Sequence, residues 1–385
     1  MHDVNASIIT IGDELLIGQT IDTNSAFIAQ ELNKMGIWVR RRVAIADDAE
    51  AIKTTLAEEA NESRIIIITG GLGPTADDIT KPTLCEYFET GLVVDEGALK
   101  NVTEIFQKLG RPMIERNAKQ AEVPESCVVL PNLRGTAPGM WFEKEGVIYV
   151  SLPGVPHEMK GLMTNSVLPK LKAQLTLPAV VHRTLLTAGQ GESFIAERLL
   201  PFETSLSAHI KLAYLPAYGM VRLRLTGKGE DERLLTKEID TAFTDLQSLV
   251  KEWMIAAEDV TVPEIISRML KEKKKTLATA ESCTGGYIAH LITSLPGSSA
   301  VFYGSVVAYD NSVKTGVLGV QEATLQSNGA VSEETVLQMA VGAQLTLGTD
   351  YAIATSGIMG PNGGSAEKPV GTVWIAVASK GGKAR

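Results

Sequence analysis

Thr-Leu-Ala-Thr-Ala-Glu-Ser-Cys-Thr-Gly-Gly-Tyr, residues 276–287, decides the fold of the segment around it. Leu277 to Ala280 is apolar and short, as a buried strand is; Thr284-Gly285-Gly286 is a turn, and Tyr287 to Leu295 carries the body of a helix. Ser282 then stands on a strand-to-helix corner, where free backbone N–H groups at the start of a helix stabilise an oxyanion or hold a phosphate. A serine hydroxyl is a weak nucleophile until a base takes its proton. Of the five histidines, His2, His157, His182, His209 and His290, only His290 lies beyond residue 260. It falls about two turns into the helix that Ser282 precedes, too far along to reach back. A lysine of lowered pKa is the alternative base, and Lys314, in Tyr309-Asp310-Asn311-Ser312-Val313-Lys314, follows the apolar strand Ala300 to Ala308. On spacing alone the plainer reading, a lysine that solvates the start of a helix, stands ahead of it. Cys283 is a rival nucleophile of greater intrinsic reactivity.

Three motifs extend this stretch: Ala-Glu-Ser-Cys-Thr-Gly-Gly, then Tyr-Gly-Ser-Val-Val-Ala-Tyr-Asp-Asn-Ser-Val-Lys, then Ala-Thr-Ser-Gly-Ile-Met-Gly-Pro-Asn-Gly-Gly. Together they resemble the CinA C-terminal domain, the nicotinamide mononucleotide deamidase (PncC) family. The resemblance implies hydrolysis of the carboxamide to nicotinate mononucleotide and ammonia, without a cofactor. On matching positions it makes Ser282 the nucleophile and Lys314 the base, with Tyr309 close by. Thr284, Gly285, Gly286 and Asn311 would meet the substrate, and so would the glycine-rich loop 356–364 with Ser356, Gly357, Gly360 and Gly363. In similar sequences the position of Cys283 tolerates an aliphatic residue, which argues for the serine. The family's domain usually continues beyond the strand Thr372 to Ala378 with a basic segment and a closing helix, whereas this sequence stops at Arg385. Either the chain is truncated or the domain is short, and a sheet face is expected to stay exposed unless a partner chain covers it. A substrate-contacting residue of the family is expected to be missing with that segment.

A length of 385 residues is enough for two or three domains, each with a core. Hydrophobic content of 44% beside 21% charged residues is that of a soluble globular protein. No apolar run reaches the roughly 18 residues of a membrane span, and the N-terminus lacks the basic lead-in and cleavage signature of an export signal. Cys85, Cys127 and Cys283 are odd in number and in no metal spacing, so a reduced, cytoplasmic protein is expected. A net charge of -9 argues against a general nucleic-acid-binding surface. The clusters Arg40-Arg41-Arg42 and Lys273-Lys274-Lys275 read as solvated ends of a strand and a helix.

Toward the N-terminus, strand Ala6 to Ile11 is broken by Gly12-Asp13-Glu14. A helix starts after the capping residues Asp22-Thr23-Asn24 and ends at Gly36. Strand Val39 to Ala46, helix Ala49 to Ala60 and strand Ile65 to Thr69 continue the alternation, which predicts a parallel sheet covered on both faces. Gly70 to Thr80 follows the last strand, at the edge where such sheets bind ligands. Its glycines let amides approach a phosphate, and Asp77-Asp78 can hold a divalent cation. Equally, Gly70-Gly71 is a plain turn and Asp77-Asp78 caps the next helix. Met140 to Phe142 and Val147 to Leu152 form a hairpin that leads into Pro153-Gly154-Val155-Pro156 and a helix bearing His157 and Glu158.

Gly-Asp-Glu-Leu-Leu-Ile-Gly-Gln, Asp-Thr-Asn-Ser, Gly-Gly-Leu-Gly-Pro-Thr-Ala-Asp-Asp-Ile-Thr, Gly-Thr-Ala-Pro-Gly and Leu-Pro-Gly-Val-Pro-His-Glu-Met resemble the CinA N-terminal domain, similar in fold to the molybdopterin-binding proteins MogA and MoaB. That resemblance implies a metal-dependent ADP-ribose pyrophosphatase giving AMP and ribose 5-phosphate. Glu14, Asp77 and Asp78 would handle metal (magnesium or similar) and water; Asp22 and Asn24 would meet ribose or base; Gly71, Gly73 and Thr75 would meet phosphates. Handling of molybdopterin, and a non-catalytic competence or DNA-damage adaptor, are the alternatives. Between the two domains, Val221, Leu223 and Leu225 alternate with Arg222 and Arg224, and Glu230 to Val250 is an amphipathic helix. This α+β segment resembles the family's KH-like domain and reads as a spacer or dimer contact. The expected architecture is α/β: a molybdopterin-binding-like three-layer domain over 1–170, a small α+β domain over 171–252 and a deamidase-like α/β domain over 260–385, in a homodimer.

Overall fold

The structure, a computed structural model, describes residues 4–75 and 78–385; Asp77 lies outside the described residues. The chain divides into two compact units, one up to Met254 and one from Ile255 to Arg385. No helix among the described residues is long and apolar enough to cross a membrane.

The first unit opens with strands β1 (Asn5–Ile11), β2 (Trp38–Ile45) and β3 (Ile65–Thr69), followed by the short pair β4 (Leu92–Val94) and β5 (Glu122–Pro124), then β6 (Val128–Leu130), β7 (Gly139–Lys144) and β8 (Val147–Leu152). Six of them form one sheet in the order β2-β1-β3-β8-β7-β6. β1, β2, β3 and β8 run parallel, and β7 and β6 are antiparallel additions. β3 and β8 are buried along their whole length, because helices cover both faces. Ile8, Ile65, Ile67 and Val150 join one core with Ile28 and Leu32, while Ile9, Ile66, Ile68 and Tyr149 join the other with Ile52 and Leu56. Leu171 and Leu175 also pack into the first of these cores. Arg40, Arg41 and Arg42 lie within β2 and not at its end, and all three are exposed, as expected. Arg40 and Arg41 each donate 2.8 Å hydrogen bonds to Glu59, whose carboxylate is fully buried, and Arg42 donates to Ser25 Oγ. A buried charge persists only where it is paired in this way.

β9 (Ala179–Ala188), β10 (Ile210–Ala217), β11 (Met220–Gly229) and β12 (Met254–Ala256) make a second sheet, ordered β10-β11-β9-β12. Val221, Leu223 and Leu225 face its core with Ile239, Phe243 and Leu246 of the helix Glu232–Leu249, as the alternation predicts.

In the second unit, β13 (Leu277–Glu281), β14 (Phe302–Val307), β15 (Tyr351–Gly357) and β16 (Val373–Ser379) are ordered β14-β13-β15-β16. β13 is parallel to β14 and β15, and β16 is antiparallel to β15. Alanines 278, 280, 352, 354, 376 and 378 line one face and let the helix Glu333–Leu347 sit close. Leu277 packs with Leu270 and Ile292 on the other face, while Ile375 and Val377 of β16 stay exposed.

Candidate functional site

Register brings the C-terminal residues together. Glu281 pairs with Val307 on one side and Thr355 on the other, so Ser282, Ala308 and Ser356 arrive side by side at the carboxyl edge of three parallel strands. Ser282 is buried to 9% exposure and its N–H donates to Thr355 O at 3.0 Å. Gly285 and Gly286 have φ of 59° and 96°, the left-handed region that a strand-to-helix corner this tight needs. Lys314 comes from the short helix Asn311–Gly316 and is 1% exposed. Its Nζ donates to Ala308 O at 2.7 Å and Tyr309 O at 3.0 Å. Burial pulls its pKa below the ordinary lysine value, against the opposing charge of Asp310. It is therefore no solvated lysine at a helix start. What touches it from Tyr309 is the carbonyl; the residue as a whole is 77% exposed.

The rival thiol stands differently. Burial pushes the Cys283 pKa up, and a Cβ added at Gly357 would lie 3.1 Å from its sulfur, so the thiol is tucked against β15 and held protonated. Thr284 Oγ1 shares a 2.8 Å hydrogen bond with Thr355 Oγ1. Ser356 and Gly357 are the last residues of β15, not part of a loop, and Ser356 Oγ is buried, donating to Ala330 O at 2.7 Å. Gly360 and Gly363 belong to the loop that follows, both at positive φ, and Asn311 opens the exposed helix start after Asp310.

One expectation is corrected. The N–H groups at the start of the helix Tyr287–Thr293 are not free: those of Gly286, Ile288 and Ala289 donate to the carboxylate of Glu281 at 3.0, 3.0 and 2.8 Å. Glu281, fully buried at the end of β13, is the residue that sequence reading missed. Its signal was a charge inside an otherwise uncharged buried strand.

In the first unit, β1, β3 and β8 end around a cavity of about 110 Å³ lined by Thr10, Glu14, Asp22, Asn24, Thr69 and Gly154. Asp22 caps the helix Thr23–Lys34, accepting from Ser25 N and Oγ and from Thr10 Oγ1. Asn24 Nδ2 donates to Thr69 Oγ1 and Gly154 O, while its Oδ1 is buried with no hydrogen-bond partner among the described residues. Gly71 has φ of 62°, and a Cβ there would lie 2.1 Å from Thr80 Oγ1. Asp78 accepts from Gly73 N, Thr75 N and Thr75 Oγ1, so it folds its own loop and does not cap the helix Thr80–Tyr87. Gln120, also missed, ties this loop to the Gly-Thr-Ala-Pro-Gly motif by donating to Leu72 O and accepting from Thr136 Oγ1. Among the described residues no group of three His, Cys, Asp or Glu side chains is placed to hold a metal ion, and the Asp78 oxygens are committed elsewhere. Asp77, expected with Glu14 and Asp78 to hold a divalent cation, lies outside the described residues.

Two α/β units, one with a molybdopterin-binding-like sheet and one with a serine and a buried lysine at a parallel sheet edge, define the class. Residues 7–173 match the family described as "Probable molybdopterin binding domain", residues 182–255 the "Damage-inducible protein CinA KH domain" and residues 259–385 the "CinA C-terminal domain". A CinA-like protein of Cytophaga hutchinsonii is 47% identical over 377 residues, covering 98% of this chain and 90% of that protein. One of Flavobacterium psychrophilum is 48% identical over 381 residues, covering 98% and 91%. This chain belongs to the CinA family. Among solved structures it is similar to the protein CinA of unknown function from Thermoplasma acidophilum, with 36% identity, a TM-score of 0.40, and coverage of 43% of this chain and 96% of that one.

Proposed function

We propose that the C-terminal domain hydrolyses the carboxamide of nicotinamide mononucleotide to nicotinate mononucleotide and ammonia, in the cytoplasm. The observation that carries this reading is Lys314. As a neutral amine it has two N–H bonds and one lone pair, and both N–H bonds are taken by the carbonyls of Ala308 and Tyr309. The lone pair is left as its remaining function, and burial favours that neutral form. Lys314 takes the Ser282 proton as Oγ attacks the carboxamide carbon, then returns it to the departing ammonia. Water, deprotonated by the same amine, attacks the ester carbon; the amine passes that proton to Ser282 Oγ as the ester bond breaks, and the acid released ionises to the carboxylate. Cys283 is a poorer candidate because burial opposes its ionisation. The test is ammonia release from nicotinamide mononucleotide without added metal: Ser282→Ala should abolish it, and undiminished release would end the assignment.

For the N-terminal domain the reading is hydrolysis of ADP-ribose to AMP and ribose 5-phosphate. Its support is the unpartnered Asn24 Oδ1, an acceptor suited to a ribose hydroxyl or a base amino group, beside Thr69 and Gly154 at the sheet edge. AMP release that needs added magnesium and falls in Asn24→Ala would support it. The family description favours one competitor, molybdopterin binding, which copurified pterin fluorescence would reveal.

A further inference from the structure

Glu281 is fully buried, and a carboxylate in that position is costly unless its oxygens are hydrogen-bonded. Here they are: Oε2 accepts from the N–H of Gly286 and Ile288, and Oε1 from the N–H of Ala289 and more distantly from Thr279 Oγ1 and Ser305 Oγ. Desolvation pushes its pKa up, but the hydrogen bonds, led by Ala289 N–H and Thr284, more than reverse this and keep it below the usual glutamate value. The side chain therefore stays ionised and fills the positive end of the helix that follows.

This has a chemical corollary for Ser282. An anion forming there cannot be met by the helix end, which is already occupied. Ser282 O and Thr284 O accept from Gly285 N and Tyr287 N and close the turn, while among the described residues the N–H of Thr284 reaches no acceptor and that of Cys283 reaches only its own thiol sulfur. The amide directly after a nucleophile is a recurrent oxyanion donor.

Resting on the deamidase reading, we infer that Glu281 is a positioning residue for the reaction at Ser282. By binding the amides of Gly286, Ile288 and Ala289 it holds the turn rigid and leaves the Cys283 and Thr284 N–H groups as the donors for the tetrahedral oxyanion. Its loss then acts on the transition state more than on substrate binding.

The experiment uses the full 385-residue chain and compares wild type, Glu281→Gln, Glu281→Ala and Ser282→Ala in ammonia release and in amide hydrogen exchange. Glu281→Gln keeps the shape but replaces one acceptor oxygen with a donor, and kcat should fall by about 100-fold, as for one lost oxyanion donor, with KM nearly unchanged. Exchange at Gly286, Ile288 and Ala289 should accelerate while β13 and β15 stay protected, which excludes global unfolding. Added formate, which fits the vacated amides, should restore part of the Glu281→Ala rate and leave wild type unaffected. Active wild type with a Glu281→Gln kcat within about threefold of it would overturn the inference alone, since that is well short of one lost donor. A kcat and KM that shift together, without formate rescue, would do the same. A wild-type chain that releases no ammonia would overturn the deamidase reading, and this inference with it.

Discussion

Replacing Lys314 with methionine keeps the length of the side chain and removes its base and its two donors. The carbonyls of Ala308 and Tyr309 lose a donor at 2.7 and 3.0 Å in a site that is 1% exposed at Lys314. An unsatisfied buried acceptor costs about 1–3 kcal/mol, so the pair amounts to about 2–4 kcal/mol once the relief of amine desolvation is allowed for. For a unit of this size that is a fall in Tm of roughly 8–15 °C, which calorimetry reads directly. Activity should fall further than stability requires. Loss of a general base removes about 100- to 10,000-fold in kcat, measured at a temperature where both proteins are folded. The pH profiles sharpen the comparison. In wild type the rate should climb as Lys314 deprotonates through its lowered pKa, whereas the methionine variant should be flat over the same interval. Stability moves with it: between that lowered value and the ordinary 10.5 the unfolded chain holds more protons at this position, so wild-type stability rises with pH across that window. A variant that melts earlier yet keeps its kcat and its pH profile would reduce Lys314 to a clamp and refute it as the base.

Cys283→Ala should keep at least about half of the wild-type kcat, and iodoacetamide should label Cys283 slowly at neutral pH because burial raises its pKa; rapid inactivation by alkylation with loss of activity in the alanine variant would revive the thiol. Gly357→Ala puts a Cβ 2.8 Å from Val373 Cγ2 and 2.9 Å from Thr372 O, and urea titration should show a loss of about 1–3 kcal/mol from overpacking. Glu59→Ala removes the partner of the partly exposed Arg40 and Arg41 and of the buried Ser7 hydroxyl, and should cost about 1–3 kcal/mol by the same measurement. A loss below about 1 kcal/mol would show that the pairing is worth no more than an ordinary surface ion pair.

How much of this was legible in the sequence depended on range. The corner at Ser282 is a local pattern, a short apolar strand, two glycines and a helical run, and it folds as read because each part has its own conformational cause. The alternation in β11 survives for the same reason. What could not be read needed partners far away in the chain. Arg40 and Arg41 look like an unpartnered surface cluster until Glu59 arrives from the next helix. Ser356 and Gly357 look like the start of a glycine loop, yet register with Trp374 and Val373 makes them strand. Asp78 looks like a cap for the helix after it and instead binds the amides before it. At Glu281 the difficulty was of another kind: the helix start was rightly seen to attract an anion, but the chain supplies that anion itself.

The three arginines of β2 have one more effect. β2 is the outermost strand of the six-stranded sheet, so its far side presents unpaired backbone groups to any other extended chain. Long charged side chains in the middle of such a strand resist a second strand laid alongside, and two of these are anchored by Glu59. Anchored charge of this kind acts as a gatekeeper against edge-to-edge aggregation, and it stops the sheet from growing at that border.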